Sequence, residues 1–372
     1  MLPLAGVRIL AVEQYGAGPF GTLQLADLGA EIVKIENAGE GGDVGRLVRH
    51  PNDPLPEGDS LFFQAFNRNK RSIALNLKSE EGQALFRRLA AGADAVFNNL
   101  RGDLPAKLGL TYEQLRDVNE KLVCVHLSAY GREGERAAWP GYDYLMQAEC
   151  GYLSVTGEPG GPPSRMGLSL VDLSTGLQAA IALASGIVGA RASGKGGDYD
   201  VSLFDAAMAN VCYVAAWYLS MGEKVGREPR SAHPSLTPSQ LYKTKDGWIF
   251  IMCNKEKFWP ILCKALGEPT WAEIYPDFAT RLKHRDRLTE LLDEALSART
   301  TDEWMAIFGG SVPAAPVNDI GQALDNPFAQ ATGQLIRYTT ADGTSVGSTG
   351  SAIRVPGLPP LANHAPPLAA DQ

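Results

Sequence analysis

Short apolar runs alternate with helical patterns through the first third of the chain, and this alternation restricts the fold more than any other feature. The apolar runs, each containing β-branched residues, are 7–12, 31–36, 95–99 and 122–128. The helical patterns that separate them are 19–28, 79–91 and 112–119. Strands and helices that alternate at this spacing form parallel βαβ units. The sequence therefore predicts an α/β fold, with a Rossmann-like large domain built around a parallel sheet.

The pattern changes beyond residue 221. Residues 222–238 are polar and predict a linker, after which strand-like runs at 240–244 and 248–253 flank a turn sequence typical of a hairpin. Helical patterns follow at 256–266, 280–298 and 301–308. We therefore expect a large domain over 1–221 that residues 326–372 complete, a smaller α+β domain over 239–312, and a return linker over 313–325.

Charge and hydropathy narrow the classes of function. Acidic residues outnumber basic ones by 42 to 34, which gives a net charge of -8, so a nucleic-acid partner is not expected. Apolar helices are predicted over 173–192 and 203–221, but the longest weakly polar run, 177–190, has only 14 residues. A bilayer span needs about 20 apolar residues. We therefore expect the first of these helices to be buried in the protein, and we expect no membrane partner.

The cysteines and histidines give no sign of a disulfide framework or a metal site. The five cysteines are never spaced as CxxC, and the five histidines form no HxH or HxxxH group. Residues 1–6 lack the basic and apolar regions of a secretory signal. The expected location is therefore cytoplasmic, without a bound metal.

A glycine-rich turn follows the first predicted strand. Gly16, Gly18 and Gly21 match GxGxxG, and Glu36 ends the next strand 20 residues after Gly16. This spacing is typical of dinucleotide binding, with pyrophosphate at the helix N-terminus and the acid on a ribose hydroxyl. The nicotinamide and flavin dinucleotides and coenzyme A (CoA) all contain a pyrophosphate. The alternative is a tight turn that uses glycine only for its backbone angles.

A basic cluster stands out against the acidic composition. Residues 67–71 carry three cations, and Lys78, Arg101 and Lys107 follow. Guanidinium and ammonium groups form charge-assisted hydrogen bonds with phosphate, so the cluster favours a phosphate-bearing ligand. The alternative is a solvated surface run.

Asp172 ends a short apolar run and precedes a predicted helix. One interpretation is an N-cap, whose carboxylate accepts a backbone hydrogen bond. The other is a nucleophile, since an aspartate with an ordinary pKa of about 3.9 is ionised at neutral pH and can attack an activated acyl group.

Taken together, these segments resemble the family III CoA-transferases (CaiB/BaiF), the group of crotonobetainyl-CoA and formyl-CoA transferases. The matching stretches, in the family's order, are 3–10, 18–19, 26–30, 33–36, 67–72, 99–102, 141–143, 156–157, 194–196 and 200–206. The resemblance implies that Asp172 is the nucleophile, which forms an aspartyl–acyl anhydride and then an aspartyl-CoA thioester. It also implies an interlocked homodimer, a CoA thioester as substrate, and no permanently bound cofactor.

The resemblance also implies which residues contact CoA in the large domain. These are Gly16, Ala17, Asn37, Leu75, Asn76, Leu77, Lys78, Asn99, Leu100, Arg101 and Lys107.

Two departures bear on the reaction. Formyl-CoA transferases carry a glutamine at the position of Gly16, which argues against a formyl or oxalate substrate. The related α-methylacyl-CoA racemases use a histidine just before an aspartate, where this chain has Tyr142-Asp143. A tyrosine with an ordinary pKa near 10 is a poor base at neutral pH, so racemisation is disfavoured. His126, on a predicted buried strand, is interpreted as structural.

We expect the acceptor to be a carboxylic acid, with a dicarboxylate such as succinate, malate, mesaconate or itaconate favoured. A second carboxylate needs a cation besides the nucleophile, and Arg46, His50 and Arg165 are the candidates, with Tyr142 and Asp143 as further substrate contacts. Two alternative functions remain open on sequence grounds, a racemase-type isomerase and a nicotinamide-dinucleotide enzyme.

Overall fold

The computed structural model describes residues 1–372, apart from the side chain of Ala38. Its strands are β1 Arg8–Val12, β2 Glu31–Glu36, β3 Arg71–Ala74, β4 Ala95–Asn98, β5 Val123–Ser128, β6 Gly197–Ser202, β7 Ser239–Lys243, β8 Trp248–Met252, β9 Ala314–Pro316, β10 Leu335–Thr339 and β11 Ser345–Thr349. Its α-helices are α1 Ala17–Asp27, α2 Leu61–Asn67, α3 Glu80–Ala90, α4 Tyr112–Leu115, α5 Asp143–Glu149, α6 Tyr152–Val155, α7 Leu170–Ser193, α8 Leu203–Asn210, α9 Cys212–Met221, α10 Phe258–Leu266, α11 Trp271–Ile274, α12 Phe278–Lys283, α13 Arg285–Leu296, α14 Thr301–Phe308, α15 Ile320–Asp325 and α16 Pro327–Ala331.

Six parallel strands form the central sheet in the order β3-β2-β1-β4-β5-β6. Every strand pair in this sheet is parallel, as βαβ connections require. Strands β4 and β5 are buried along their whole length, which explains their nearly continuous apolar sequences. The predicted α/β fold with a parallel sheet is confirmed, and its strand order is that of a Rossmann fold.

The chain divides into two compact units. The first comprises residues 1–150, 167–212 and 327–372, and the second comprises residues 151–166 and 213–326. The predicted domain boundaries remain predictions, because a compact unit is not by itself shown to fold independently.

The second unit contains a three-stranded antiparallel sheet, β7-β8-β9. The predicted hairpin is present, with Tyr242 paired to Ile249 across β7 and β8. Both side chains are fully buried, in a core that also includes Trp259, Leu292 and Phe308. Apolar residues from one face of the hairpin and from helices α10, α13 and α14 therefore share this core.

Two predicted long helices are each broken in the structure. The helix expected over 203–221 is interrupted between α8 and α9, where Cys212 has φ of 26°. A positive φ is incompatible with a right-handed helix, so the chain turns at this residue. The helix expected over 280–298 likewise divides into α12 and α13 at His284, whose backbone is not helical.

Helix α7 is the longest helix and packs beside the central sheet. By length and composition alone it could cross a membrane, and 44% of its apolar window is buried. Buried helices of globular proteins meet the same criterion. Its Leu183 and Ala179 are fully buried, whereas Ile181 and Val188 are 67% and 69% exposed. The helix thus has one face in the core and one apolar face that the chain leaves uncovered.

Helices α1 and α7 pack backbone against backbone. A Cβ on Gly21 would lie 2.5 Å from the carbonyl oxygen of Gly176, and a Cβ on Gly176 would lie 2.5 Å from that of Ala17. Any side chain at either position would force the helices apart. This close approach brings the first turn of α7 next to the N-terminus of α1.

Candidate active site

The candidate site lies at the centre of the sheet, where the strand order reverses. Strand β1 pairs with β2 on one side and with β4 on the other, so the connections after β1 and β4 diverge and leave a crevice at the carboxyl ends of the strands. The turn 13–16 follows β1, and residues 99–101 follow β4. A cavity of about 390 Å³ opens there, and Asp172 from the first turn of α7 lines it.

The carboxylate of Asp172 faces this cavity without a protein partner. Its side chain makes no hydrogen bond or ion pair with any residue that the structure describes, and Asp172 is 8% exposed. The backbone N–H of Asp172 donates to Oδ2 of Asp143 at 2.9 Å. The N-cap of α7 is Ser169, so the interpretation of Asp172 as an N-cap is wrong. Its oxygens therefore remain available to a ligand.

Burial, the larger cause, and the negative charge of Asp143 together raise the pKa of Asp172 to about 7. The expectation of an ordinary pKa is therefore wrong, because the sequence does not show either effect. The carboxyl group is about half ionised at neutral pH. Weak solvation of its charged form makes it a better nucleophile than an exposed carboxylate.

The glycines of the GxGxxG motif make room for neighbouring groups. A Cβ on Gly16 would lie 3.1 Å from Oδ2 of Asp172, and a Cβ on Gly18 would lie 2.7 Å from the side chain of Asn99. Gly21 has the helix contact described above. The residue of this turn with a positive φ is Tyr15, at 67°. The glycines therefore serve close approach, and backbone angles are not the reason for them.

Glu36 is not available for a ribose hydroxyl in the way that a dinucleotide site needs. It is 3% exposed, and its two oxygens accept hydrogen bonds from Arg46, from the hydroxyl of Ser72 and from the N–H of Asp43. These contacts hold the pKa of Glu36 below its usual value despite its burial. The acid of the proposed dinucleotide motif is thus an internal ion-pair residue.

A second cavity, of about 240 Å³, lies beside the first and shares Gln14, Leu100 and Leu104 with it. Of the residues expected to contact CoA, nine line one of the two cavities. The first cavity is lined by Gly16, Ala17, Asn99, Leu100 and Arg101, and the second by Asn37, Leu75, Leu77, Lys78 and again Leu100.

Two of the expected CoA residues, Asn76 and Lys107, line neither cavity. Asn76 accepts a hydrogen bond from the N–H of Lys78 through its side-chain oxygen. Lys107 forms an ion pair with Asp103, which also binds Arg101. Both residues therefore lie next to lining residues and do not face the cavities themselves.

Two of the three cations of the basic cluster 67–71 are buried, so most of the cluster is neither a phosphate-binding surface nor a solvated run. Arg68 pairs with Asp27, and Lys70 pairs with Glu13, with all four side chains buried. Burial lowers the pKa of Lys70 to about 8, while Glu13 opposes this shift. Arg68 and Lys70 therefore neutralise acids in the interior, whereas Arg71 is half exposed and pairs with Glu31 and Asp371.

Arg46 and His50, two of the three expected acid-binding cations, do not line the cavity that contains Asp172. Arg46 is 1% exposed and forms a buried ion pair with Glu36, so the expectation that it binds substrate is not supported. His50 is exposed and bonds to the backbone of Asn52, and it does not line the cavity. Arg165 belongs to the second compact unit.

The other two expected substrate contacts are close to the carboxylate. Tyr142 lines the cavity and is 62% exposed. Asp143, which starts α5, is buried and holds the backbone of Asp172 as described. His126 is fully buried between Asn98 and Asp198, consistent with the structural role expected for it.

Gln14, Tyr15 and Trp139 are among the lining residues that were not anticipated from the sequence. Gln14 and Tyr15 directly precede the first glycine of the motif, so their position after β1 is the signal that identifies them. Trp139 lies two residues before the matching stretch 141–143, and this proximity is the signal that could have identified it. Among the residues that the structure describes, no group of three or more His, Cys, Asp or Glu side chains could hold a metal ion.

The chain is similar to known proteins over nearly its whole length. The family model of CoA-transferase family III matches residues 4–372. The succinate–glutarate CoA-transferase of Agrobacterium fabrum is 35% identical, over 92% of this chain and 87% of its own length. The human succinyl-CoA:glutarate CoA-transferase is 32% identical, over 98% of this chain and 81% of its own length. The crystal structure of a CaiB/BaiF family protein from Brucella suis superposes with a TM-score of 0.83 at 32% identity, covering 100% of this chain and 97% of that one. The chain belongs to CoA-transferase family III.

Proposed function

We propose that this enzyme moves CoA between an acyl-CoA donor and a dicarboxylic acid, with Asp172 as the nucleophile. The observation that carries the proposal is the carboxylate of Asp172, which has no protein partner and lines the cavity at the topological switch point. Its backbone is fixed by Asp143. A buried, unpaired carboxylate is unfavourable for folding, which is understandable if the group has a chemical role.

The two adjoining cavities suit the two parts of a CoA thioester. The larger one contains Asp172 and takes the thioester end, and the smaller one, lined by Lys78 and Asn37, takes the nucleotide end. Leu100 and Leu104 line both cavities and provide apolar contact for the pantetheine between them. This placement keeps the phosphates near the amino group of Lys78, an exposed side chain whose partner is the exposed Glu40.

In the first step, an oxygen of Asp172 attacks the carbonyl carbon of the donor thioester. A C–O bond forms and the C–S bond breaks, which gives an aspartyl–acyl anhydride and CoA thiolate. The N–H groups in the first turn of α1, at Ala17 and Gly18, have no partner within the helix. Such N–H groups can donate to the negative charge that develops on the carbonyl oxygen.

In the second step, the thiolate attacks the aspartyl carbonyl, forming aspartyl-CoA and releasing the donor acid as its carboxylate. The acceptor carboxylate then attacks this thioester, which regenerates an anhydride and CoA thiolate. Attack of the thiolate on the acceptor's acyl carbon finally gives the new acyl-CoA and restores Asp172. Each step replaces one activated acyl bond by another, so no net oxidation or hydrolysis occurs.

The choice of a dicarboxylate rests mainly on the relatives. Besides the two glutarate enzymes, a protein named succinyl-CoA:mesaconate CoA-transferase from Haloarcula marismortui is 32% identical over 87% of this chain. Arg101 is the cation among the residues lining the cavity, although it already pairs with Asp103. Trp139 and Tyr142 provide aromatic surface for the methylene carbons of such an acid.

The test is to trap the acyl-enzyme while varying donor and acceptor. The enzyme is mixed with succinyl-CoA and hydroxylamine, and the peptide containing Asp172 is examined by mass spectrometry for a hydroxamate. We expect the adduct in the native protein and in Asp117→Asn, an exposed control carboxylate, but not in Asp172→Asn. Transfer that survives in Asp172→Asn would contradict the proposal, as would deuterium exchange at the donor's α-carbon without an acceptor acid.

We also propose that the enzyme is an interlocked homodimer, as the resemblance implies, and that it works in the cytoplasm. The support for the dimer is the uncovered apolar face of α7, where Leu177, Ile181 and Val188 are 46%, 67% and 69% exposed. Apolar residues clustered on one face of a core helix are typical of a surface that a second subunit covers.

A further inference from the structure

The turn between β1 and α1 is held by side chains at every backbone polar group of two consecutive peptide units. In the unit that joins Glu13 and Gln14, the carbonyl oxygen accepts from Nζ of Lys34 at 2.9 Å, and the N–H donates to Oδ1 of Asn99 at 2.8 Å. In the next unit, the carbonyl of Gln14 accepts from Nδ2 of Asn99 at 2.7 Å. The N–H of Tyr15 donates to Oδ1 of Asp43 at 2.9 Å.

These side chains are themselves fixed. Lys34 is fully buried, with Nζ 2.7 Å from Oδ2 of Asp43. Asp43, which is 3% exposed, also accepts the N–H of Gly45 and donates its own N–H to Glu36. Asn99 directly follows β4 and reaches across the strand-order reversal to β1. The turn is therefore attached to both neighbouring strands of the sheet.

The turn needs such support because its conformation is unfavourable. Tyr15 has φ of 67°, a region that residues with a bulky side chain rarely adopt. The next residue is Gly16, and its position determines how much space surrounds Oδ2 of Asp172. A small movement of Tyr15 would therefore change the geometry of the attack.

We propose that Asn99, Asp43 and Lys34 are positioning residues that hold the turn 13–16 and thereby set the spacing between Gly16 and the Asp172 carboxylate. This inference rests on the proposed role of Asp172 and assigns Asn99 a role other than the CoA contact that the sequence suggested. Both polar atoms of its carboxamide are bound to Gln14. None of the three residues touches the reacting atoms in this assignment.

The variants Asn99→Asp and Asp43→Ala test the proposal. Asn99→Asp keeps an acceptor for the N–H of Gln14 but replaces the donor to its carbonyl by a repelling oxygen. A misplacement of about 1 Å at a reacting group can lower the rate about 100-fold. We expect kcat to fall by about this factor for both variants, whereas the Kd of free CoA, measured by calorimetry, stays within about threefold because the ligand contacts are retained.

A residue that contacts CoA directly behaves differently. If Asn99→Asp raises the Kd of CoA by the same factor as it lowers kcat/KM, with kcat at saturation unchanged, the positioning role of Asn99 is wrong.

Replacing Tyr15 by glycine gives an independent test. Glycine adopts a positive φ without strain, so the turn needs less support from Asp43. Asp43→Ala should therefore lower kcat by a smaller factor in the Tyr15→Gly background than in the native one. Equal factors in both backgrounds would overturn the role of Asp43.

Hydrogen exchange separates a failure of this inference from a failure of the proposed function. The amide proton of Gln14 in Asn99→Ala and that of Tyr15 in Asp43→Ala should exchange at least about tenfold faster, because each variant removes the acceptor of that N–H, while the amides of β5 keep their protection. This readout needs no activity. Unchanged exchange would contradict the tethering, whereas faster exchange in a protein whose native form transfers no CoA would contradict only the function proposed for Asp172.

Discussion

The Cα of Gly16 faces the carboxylate of Asp172 so closely that one added methyl group would lie 3.1 Å from Oδ2. Gly16 has φ of -107°, which any residue can adopt, so the cost of a side chain at this position arises from the close contact with Asp172 and not from the backbone. Ordinary contacts between carbon and oxygen are longer than this. Glycine at position 16 is thus a consequence of where α7 places the aspartate.

This relationship predicts the effect of enlarging residue 16. In Gly16→Ala the methyl group should displace the carboxylate by a few tenths of an ångström, and kcat for CoA transfer should fall about tenfold. Gly16→Val should lower kcat further, because its side chain is larger. The measurement is kcat with saturating donor and acceptor, together with the thermal melting temperature, which should not fall because the backbone is unstrained.

The control for this change is Gly189→Ala. Gly189 lies on α7, and a Cβ there would meet nothing within 4 Å. Alanine is favoured over glycine in a helix by about 1 kcal/mol, so this variant should be slightly more stable and fully active. Full activity of Gly16→Ala would show that the carboxylate can move away without consequence.

The raised pKa of Asp172 predicts the pH dependence of the reaction. Only the ionised carboxylate is nucleophilic, so kcat/KM should decline as the pH falls through about 7. Asp143→Asn removes the neighbouring negative charge but keeps an oxygen to accept the Asp172 N–H. The other oxygen of Asp143 accepts from Nε2 of Gln147 at 2.6 Å, and a rotated Gln147 amide would present its oxygen to the new NH₂ group. Because the charge of Asp143 raises the pKa, the acid limb should move to lower pH in this variant. If kcat/KM declines at the same pH in the native protein and in Asp143→Asn, a group other than Asp172 controls this decline.

The same shift has a consequence for stability, with a definite sign. The folded-state pKa is higher than the unfolded value of 3.8, so folding is favoured by protonation of Asp172 and loses free energy as the pH rises from about 4 to about 7. Asp172→Asn should therefore match the native protein near pH 4 and exceed its free energy of unfolding by about 2–4 kcal/mol above pH 7. Urea denaturation at the two pH values measures this difference, and equal stability at pH 8 would contradict the raised pKa.

The sequence was sufficient for the elements that depend on local pattern. Strand β2 was predicted at its observed bounds, Glu31–Glu36, and Ser79 caps α3 by accepting the N–H of Gly82, as its position before Glu80 suggested. The break at Cys212 has no clear local signal, because residues 207–216 contain neither glycine nor proline.

The charges of the interior could not be predicted in this way. Lys70 and Arg46 have acidic partners 57 and 10 residues away in sequence. The sequence of a basic segment does not indicate which distant acidic residues contact it in the folded protein. Likewise the pKa of Asp172 depends on Asp143, which is 29 residues earlier. The nucleophile was identified from a family resemblance, whereas its electrostatic state needed the fold.

Arg46 provides a prediction that separates an internal role from substrate binding. Its guanidinium pairs with Glu36, donates to the carbonyl of Pro366 and lies 3.7 Å from the centre of the Phe63 ring. Removing one partner of a buried ion pair destabilises a protein by about 3–5 kcal/mol. Arg46→Ala should lose about this much free energy of unfolding, while the remaining folded enzyme keeps the native KM for the acid. The exposed His50→Ala should change stability by less than about 0.5 kcal/mol. A higher acid KM without a loss of stability would restore Arg46 as a substrate contact.

The uncovered face of α7 predicts how the subunits associate. Ile181→Glu places a charge where we propose that a second copy packs, and desolvating an unpaired charge in an apolar contact is strongly unfavourable. Sedimentation velocity should show the native protein as a dimer and Ile181→Glu shifted towards monomer at the same concentration. The matched control is Ile274→Glu on α11, since Ile274 is similarly exposed, at 58%, but lies outside α7. If both variants remain dimeric, the apolar face of α7 is not the subunit contact, and an interlocked arrangement would have to use other surfaces of the chain.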